Sequence, residues 1–200
     1  RPNKRLVQMS LIVFDLDEHL VHTCEREMKE FSRFRVPVAP REFWWCHVRP
    51  GAIEFLQHVR KRHKIGFWSA ACDLYMAEVV DRLLALCGIE GTGLKMNQDP
   101  RWSAPVVLSW SRTKCRKENG QYVKHVPLIC TGATLFDDNI VHSQHPENKG
   151  KVLKAVGFRG HPEDAWMEYY THHWDTLFRL LRCDHAVAKP VAVRKCARSE

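Results

Sequence analysis

A chain of 200 residues, 44% of them hydrophobic, is long enough for one α/β domain with a packed core. Its net charge of +8 points to anionic partners, whether phosphorylated or acidic peptides, nucleic acid or an acidic membrane surface, without choosing among them, and nucleic acid is not favoured. No apolar run reaches the ~18–20 residues of a membrane helix, and eight scattered cysteines, without a CxxC pair, read as free thiols of a reducing intracellular compartment, nucleus or cytoplasm.

The chain starts at Arg1, not Met, and reads as an excised or processed piece. The run "MSLIVFD" (9–15), bounded by charge, predicts a strand buried on both faces, as in a parallel sheet. Residues 31–48 read as extended, alternating in "FRVPV" and aromatic in "EFWWCHV", with Pro37 and Pro40 at edges or turns. "RPGAIEFLQHVRKR" (49–62) predicts a turn into an amphipathic helix with Ile53, Leu56 and Val59 on one face. "KIGFWSA" (64–70) is a second buried strand. Asp73 is expected to cap the next helix, where Met76, Val79, Val80 and Leu83 keep helical spacing and Gly88 is the stop.

From 90 to 132, Gly, Pro, Asn and Lys punctuate short pieces such as "PVVLSW" and "QYVKHV", read as a small β-rich insertion. "ATLFDDN" (133–139) is a third apolar run ending in carboxylates. "HPEDAWMEYYTHHWDTLFRLLR" (161–182) predicts a helix with Pro162 near its first turn and a stripe of Trp166, Tyr170, Trp174, Leu177 and Leu181. One domain is thus expected over 1–183, followed by a basic tail, 184–200.

Strands alternating with helices predict a doubly wound α/β fold with a parallel sheet, which binds ligands at the carboxyl ends of its strands. The three candidate strands end in Asp15 with Asp17, in Ser69, and in Asp137 with Asp138. Residues i and i+2 of an extended segment project to the same side, so Asp15 and Asp17 share one. Two such carboxylates repel unless a cation or a proton sits between them, and their environments divide nucleophile from acid/base. Oxygen-only ligands suit Mg²⁺. Ser69, before a helix, and Lys124 are candidates for holding phosphate and its charge. Taken singly, the same residues also read as a solvated acidic turn, a helix cap and a solvated strand lysine.

In this order the motifs resemble the haloacid dehalogenase superfamily, whose pattern is hhhDxDx[T/V], then a strand-end Ser or Thr, a Lys and an acidic pair. "FDLDEHLVHT", "VRPGAIEFL", "GFWSAACDLYM", "GQYVKHV" and "TLFDDNIVHSQHPENK" resemble its carboxy-terminal-domain phosphatase branch, with "IGFWSA", "FDD" and "HPENK" most similar to the ubiquitin-like-domain-containing members. The resemblance spans about residues 10 to 180. It implies a Mg²⁺-dependent phosphatase of phosphoserine peptides, such as the RNA polymerase II C-terminal domain, and a further domain N-terminal to this piece. It makes Asp15 the nucleophile that becomes an aspartyl-phosphate and Asp17 the acid/base. Ser69 and Lys124 would bind phosphate, and Asp15, the Asp17 backbone carbonyl, Asp137 and Asp138 would hold Mg²⁺.

His19 is the departure, since the family usually has Thr there beside the phosphate. As a phosphate contact, His19 would donate a hydrogen bond and favour an acidic optimum through its imidazolium form. It would otherwise narrow the pocket or face outward. Two other readings stand beside the first: a non-catalytic phosphopeptide-binding scaffold, in which His19 would block in-line attack, and a phosphatase of nucleic-acid ends or small metabolites.

Overall fold

A computed structural model describes residues 10–89, 95–130 and 132–182. The tail from Asp184, Cys183 and the side chain of Leu181 lie outside the described residues.

Five parallel strands form the central sheet, in the order β10-β9-β1-β5-β6. They are β1 (Leu11–Phe14), β5 (Lys64–Trp68), β6 (Val106–Trp110), β9 (Ala133–Asp137) and β10 (Val152–Lys154). β1 lies between β5 and β9, and all four of its residues are buried, as its unbroken apolar run requires. Ile12 and Phe14 face a core built with α1 (Ala52–Val59), α2 (Asp73–Leu86) and α4 (Trp166–Arg182), while the short α3 (Ile140–Gln144) follows β9. Leu11 and Val13 face a second core with Trp68, Val107, Val126 and Ile129, where a short 3-10 turn, Val126–Leu128, takes the place of a long helix. The sheet is therefore wound on both faces but unequally covered. Gly66 sits at a register shift between β5 and β6, where an added Cβ would stand 2.8 Å from Leu108 Cγ. Only a residue without a side chain lets these strands close there.

The aromatic stretch forms a separate antiparallel sheet, β2-β4-β3, from β2 (Val21–Cys24), β3 (Arg33–Ala39) and β4 (Glu42–Val48). Pro37 lies on the edge strand next to a bulge, where no ladder N–H is missed. This sheet is inserted between Asp17 and α1.

Several expectations need correction. "PVVLSW" is not part of an insertion: β6 is the edge of the main sheet, because Val106–Trp110 are all buried. The piece standing apart in the described part of 90–132 is the hairpin of β7 (Arg116–Glu118) and β8 (Gln121–Val123). Cys72, not Asp73, is the N-cap of α2, and Asp73 instead accepts hydrogen bonds from the Ser111 and Thr113 hydroxyls, the latter at 3.0 Å. α4 starts at Trp166, with Pro162 in the turn before it. Its buried line keeps Tyr170 and Trp174 of the expected stripe but adds Met167 and Phe178, while Trp166 and Leu177 are only partly buried.

Candidate active site

Asp15 follows β1 directly, and its N–H donates to Phe136 O (3.0 Å), continuing the ladder to β9. Leu16 turns its side chain into the core while Asp15 and Asp17 line one cavity, as the i, i+2 spacing requires. The chain then wraps around Leu16 O, which accepts from the N–H groups of His19, Leu20 and Val21 at 3.2, 2.9 and 3.0 Å. Glu18 takes a left-handed conformation (φ 56°) to make that turn, a strain that residues beside reactive groups often carry.

The cavity has a volume of about 790 Å³ and collects Asp15, Asp17, Ser69, Lys124 and Asp138. Lys124 Nζ lies 2.6 Å from Asp15 Oδ1 and 2.7 Å from Asp137 Oδ2, all three side chains being nearly buried. Burial alone would weaken the ammonium, but the two carboxylates outweigh it and raise the Lys124 pKa. Burial, reinforced by Asp137 and opposed by Lys124, raises the Asp15 carboxyl well above the usual range. Burial and Asp137 push Asp138 up to about 6. Such crowding is what a divalent cation relieves. One oxygen each from Asp15, Asp137 and Asp138 lies within 4.8 Å of the others, an all-oxygen set able to hold a hard cation.

The lysine is held from behind. Asn148, fully buried, donates through Nδ2 to Lys124 O (2.6 Å) and His142 O (3.0 Å) and accepts from Val126 N–H (2.9 Å). Asp137 Oδ1 accepts from Asn139 N–H (2.8 Å), so both of its oxygens are engaged.

Asp17 has a different environment. Ser69 Oγ donates to its Oδ2 (2.8 Å), and Tyr75 OH donates to its Oδ1. Ser69 Oγ in turn accepts from Ala71 N–H (3.0 Å), and Thr23 Oγ1 lies 2.7 Å from Tyr75 OH. Burial and the Asp17 charge raise the Tyr75 phenol well above its ordinary value, keeping it a donor. Tyr75 escaped the sequence reading because it looks like one more apolar position on α2. Its partners lie 52 and 58 residues away, and nothing in the local spacing signals them.

The expectation for His19 is corrected. It is fully buried, does not line the cavity, and neither ring nitrogen has a hydrogen-bond partner. Its ring packs edge-to-face on Phe136 at 4.5 Å between centroids and stacks toward Phe14 at 6.4 Å. Burial first, then the Arg49 and Lys124 charges, lowers its pKa well below the usual value, so the ring is neutral and offers phosphate no charge. The left-handed Glu18 turn sends position 19 back into the core. There Arg49 grips its carbonyl (Nη1–O 3.0 Å) while forming a bidentate pair with Asp164 (2.8 and 2.9 Å).

A family model for NLI interacting factor-like phosphatases matches residues 10–172. The chain belongs to this family. As an NLI interacting factor-like phosphatase, it brings Asp15, Asp17, Ser69, Lys124, Asp137 and Asp138 of the resemblance together at the carboxyl ends of the parallel strands. No curated protein sequence matches it. Among solved structures it is similar to an arginine-to-alanine variant of the fission yeast RNA polymerase II CTD phosphatase Fcp1 bound to beryllium fluoride (TM-score 0.52, 12% identity, covering 86% of this chain and 51% of that one). It is also similar to Fcp1 described as an essential RNA polymerase II CTD phosphatase (TM-score 0.52, 15% identity, covering 86% and 49%). The phosphatase chain thus spans about half the length of the structures it matches, and at these identities the likeness is one of fold. No described helix is long and apolar enough to cross a membrane.

Proposed function

We propose that this phosphatase acts on phosphoserine in extended peptides, with Asp15 as nucleophile, Asp17 as acid/base and Mg²⁺ as cofactor. The observation that carries this reading is the division of the two aspartates' surroundings. Asp15 faces the Lys124 ammonium and the acidic cluster, while the two oxygens of Asp17 accept from hydroxyl donors, Ser69 and Tyr75. An anionic nucleophile approaches an anionic phosphoryl group only where positive charge offsets the repulsion, which Lys124 supplies. Proton transfer is assigned to the carboxyl whose partners are neutral and can reorient.

An Asp15 oxygen bonds to phosphorus as the serine P–O bond breaks, and the Asp17 proton passes to the departing serine oxygen. Asp17, now a carboxylate, takes a proton from water. The water oxygen bonds to phosphorus, the Asp15–phosphorus bond breaks, and inorganic phosphate and free Asp15 result. Mg²⁺, held by Asp15, Asp137, Asp138 and the Asp17 carbonyl, would supply charge neutralisation at the phosphoryl oxygens. Ser69 contributes by turning its hydroxyl from Asp17 toward a phosphoryl oxygen.

Trp44 and Val38, from the antiparallel sheet, and the cations Arg112 and Lys154 also line the cavity. This mixture suits a phosphorylated peptide better than a small metabolite, because it extends apolar and cationic contacts beyond one phosphate. The RNA polymerase II C-terminal domain, the substrate class named for the fission yeast protein, is the first peptide to test, and a nuclear location would accompany it. The scaffold reading relied on His19 obstructing attack, and its burial in the core removes that support.

The test is hydrolysis of an aryl phosphate and of a phosphoserine peptide with Mg²⁺, then with excess chelator. Asp15→Asn and chelation should each abolish turnover of both substrates. Turnover surviving the substitution removes the nucleophile assignment, and turnover surviving chelation removes the metal.

A further inference from the structure

We propose that Glu118, His125 and His145 form a second metal site, for Zn²⁺ or a similar borderline divalent cation, where the β7–β8 hairpin meets the turns at 125–128 and 145–148. It is separate from the acidic cluster and does not depend on the phosphatase reading. Glu118 ends β7, His125 precedes the Val126–Leu128 turn, and His145 precedes the turn Pro146–Asn148. Their ligand atoms lie within 4.8 Å of one another. His125 Nε2 is 2.7 Å from Glu118 Oε1, and His145 Nε2 is 3.2 Å from Glu118 Oε2. Two imidazoles and a carboxylate are a donor set for Zn²⁺ with a fourth position left for water, and a set that Mg²⁺ does not favour.

The surroundings match such a site. His125 is 1% exposed, and its other nitrogen, Nδ1, is 2.9 Å from Glu147 Oε2. A carboxylate on the far nitrogen of a histidine is the partner that fixes ring orientation at metal centres. Arg116 Nη1 stands 3.6 Å from Glu147 Oε1, on the outer carboxylate, leaving Glu118 to the two rings. Ligand bonds of ~2.0–2.2 Å separate donor atoms by roughly 3.3–3.5 Å, so Glu118 needs to withdraw by less than ~1 Å. It can, because its side chain is 38% exposed at the end of a short strand.

Glu147 N–H makes a long 3.3 Å contact to His145 Nδ1, which leaves His145 Nε2 facing Glu118. Ligation needs the unprotonated form of each donor nitrogen, so any proton on it passes to solvent as the metal binds. The cation would also brace Lys124, the residue next to His125 and the one that bridges Asp15 and Asp137.

The test titrates metal-stripped chain with Zn²⁺, and separately with Co²⁺, under excess Mg²⁺, reading heat and the visible absorption of Co²⁺. One Zn²⁺ per chain should bind, with low-symmetry Co²⁺ bands. Glu118→Gln should weaken binding at least tenfold, Glu147→Gln about 10–100-fold, and Asp137→Asn should leave it unchanged. Absence of stoichiometric binding would show a plain histidine–glutamate clasp and overturn the site. So would affinity indifferent to Glu118→Gln, or affinity lost with Asp137→Asn, which would place the cation in the acidic cluster. Should a variant fail to fold, anomalous scattering from Zn²⁺-soaked wild-type crystals decides by its position.

Discussion

Lys124 is the internal counter-ion of Asp15, with 2.6 Å between Nζ and Oδ1 and both groups shielded from water. Its charge lowers the Asp15 pKa against burial and Asp137. Lys124→Met therefore raises that pKa further, and Asp15, the proposed nucleophile, needs a higher pH to ionise. The acidic limb of kcat/KM is expected to move to higher pH, with turnover at neutral pH falling roughly 10²–10³-fold, as when a charge-stabilising group is removed. A pH–rate profile with an aryl phosphate checks both. A limb that stays in place would separate Lys124 from Asp15 in function.

Tyr75 and Ser69 hold the two oxygens of Asp17. Tyr75→Phe removes one donor and leaves the fold intact, since only the hydroxyl is lost. General acid catalysis matters most for a poor leaving group. Turnover of a phosphoserine peptide should fall about tenfold or more, within the ~10²–10⁴-fold that a positioned acid contributes, while a nitrophenyl phosphate should be nearly unaffected. Equal losses on both substrates would mean that Tyr75 does not serve Asp17.

His19 carries two buried nitrogens without partners. Replacing it with Leu removes an unsatisfied polar group, and the variant should be more stable than wild type by roughly 1–3 kcal/mol at pH 8. The folded-state pKa is lowered from 6.5, so below that pH the unfolded wild type takes up a proton that the folded chain does not. Wild-type stability from this residue is complete above 6.5 and is lost as pH falls. The advantage of the variant should therefore grow, by up to about 1.4 kcal/mol per pH unit. Denaturant titrations at pH 8 and pH 5.5 measure this. The pH dependence of turnover should not change on His19→Thr, in contrast to the phosphate-contact expectation.

Arg49 and Asp164 form a buried bidentate pair, with 0% and 9% side-chain exposure. The same guanidinium holds His19 O and Val156 O, tying the turn after Asp17 to the segment before α4. Arg49→Ala strands a buried carboxylate and should cost about 3–5 kcal/mol. Arg49→Ala with Asp164→Ala should recover part of that loss, as a double-mutant cycle by urea unfolding would show. Simple additivity of the two losses would deny the pairing.

Covalent order along the chain was enough for three of the five parallel strands, β1, β5 and β9, and their polar ends. An unbroken apolar run such as Leu11–Phe14 has only a doubly covered strand in which to bury itself, and Asp15 and Asp17 share a side because side chains alternate every two residues. The edge strand β6 was misread because its flanks are rich in loop residues, and composition does not report which sheet a strand joins. The three-dimensional structure alone decided what surrounds each functional group. Asn148 behind Lys124, Tyr75 on Asp17 and Arg49 on the His19 carbonyl are contacts between residues 24, 58 and 30 positions apart. The same holds for His19 itself: its number placed it beside the phosphate, and a single left-handed residue, Glu18, turned it into the core. Burial, charge pairing and hydrogen bonding depend on distance in space, and that distance exists only once the chain has closed on itself.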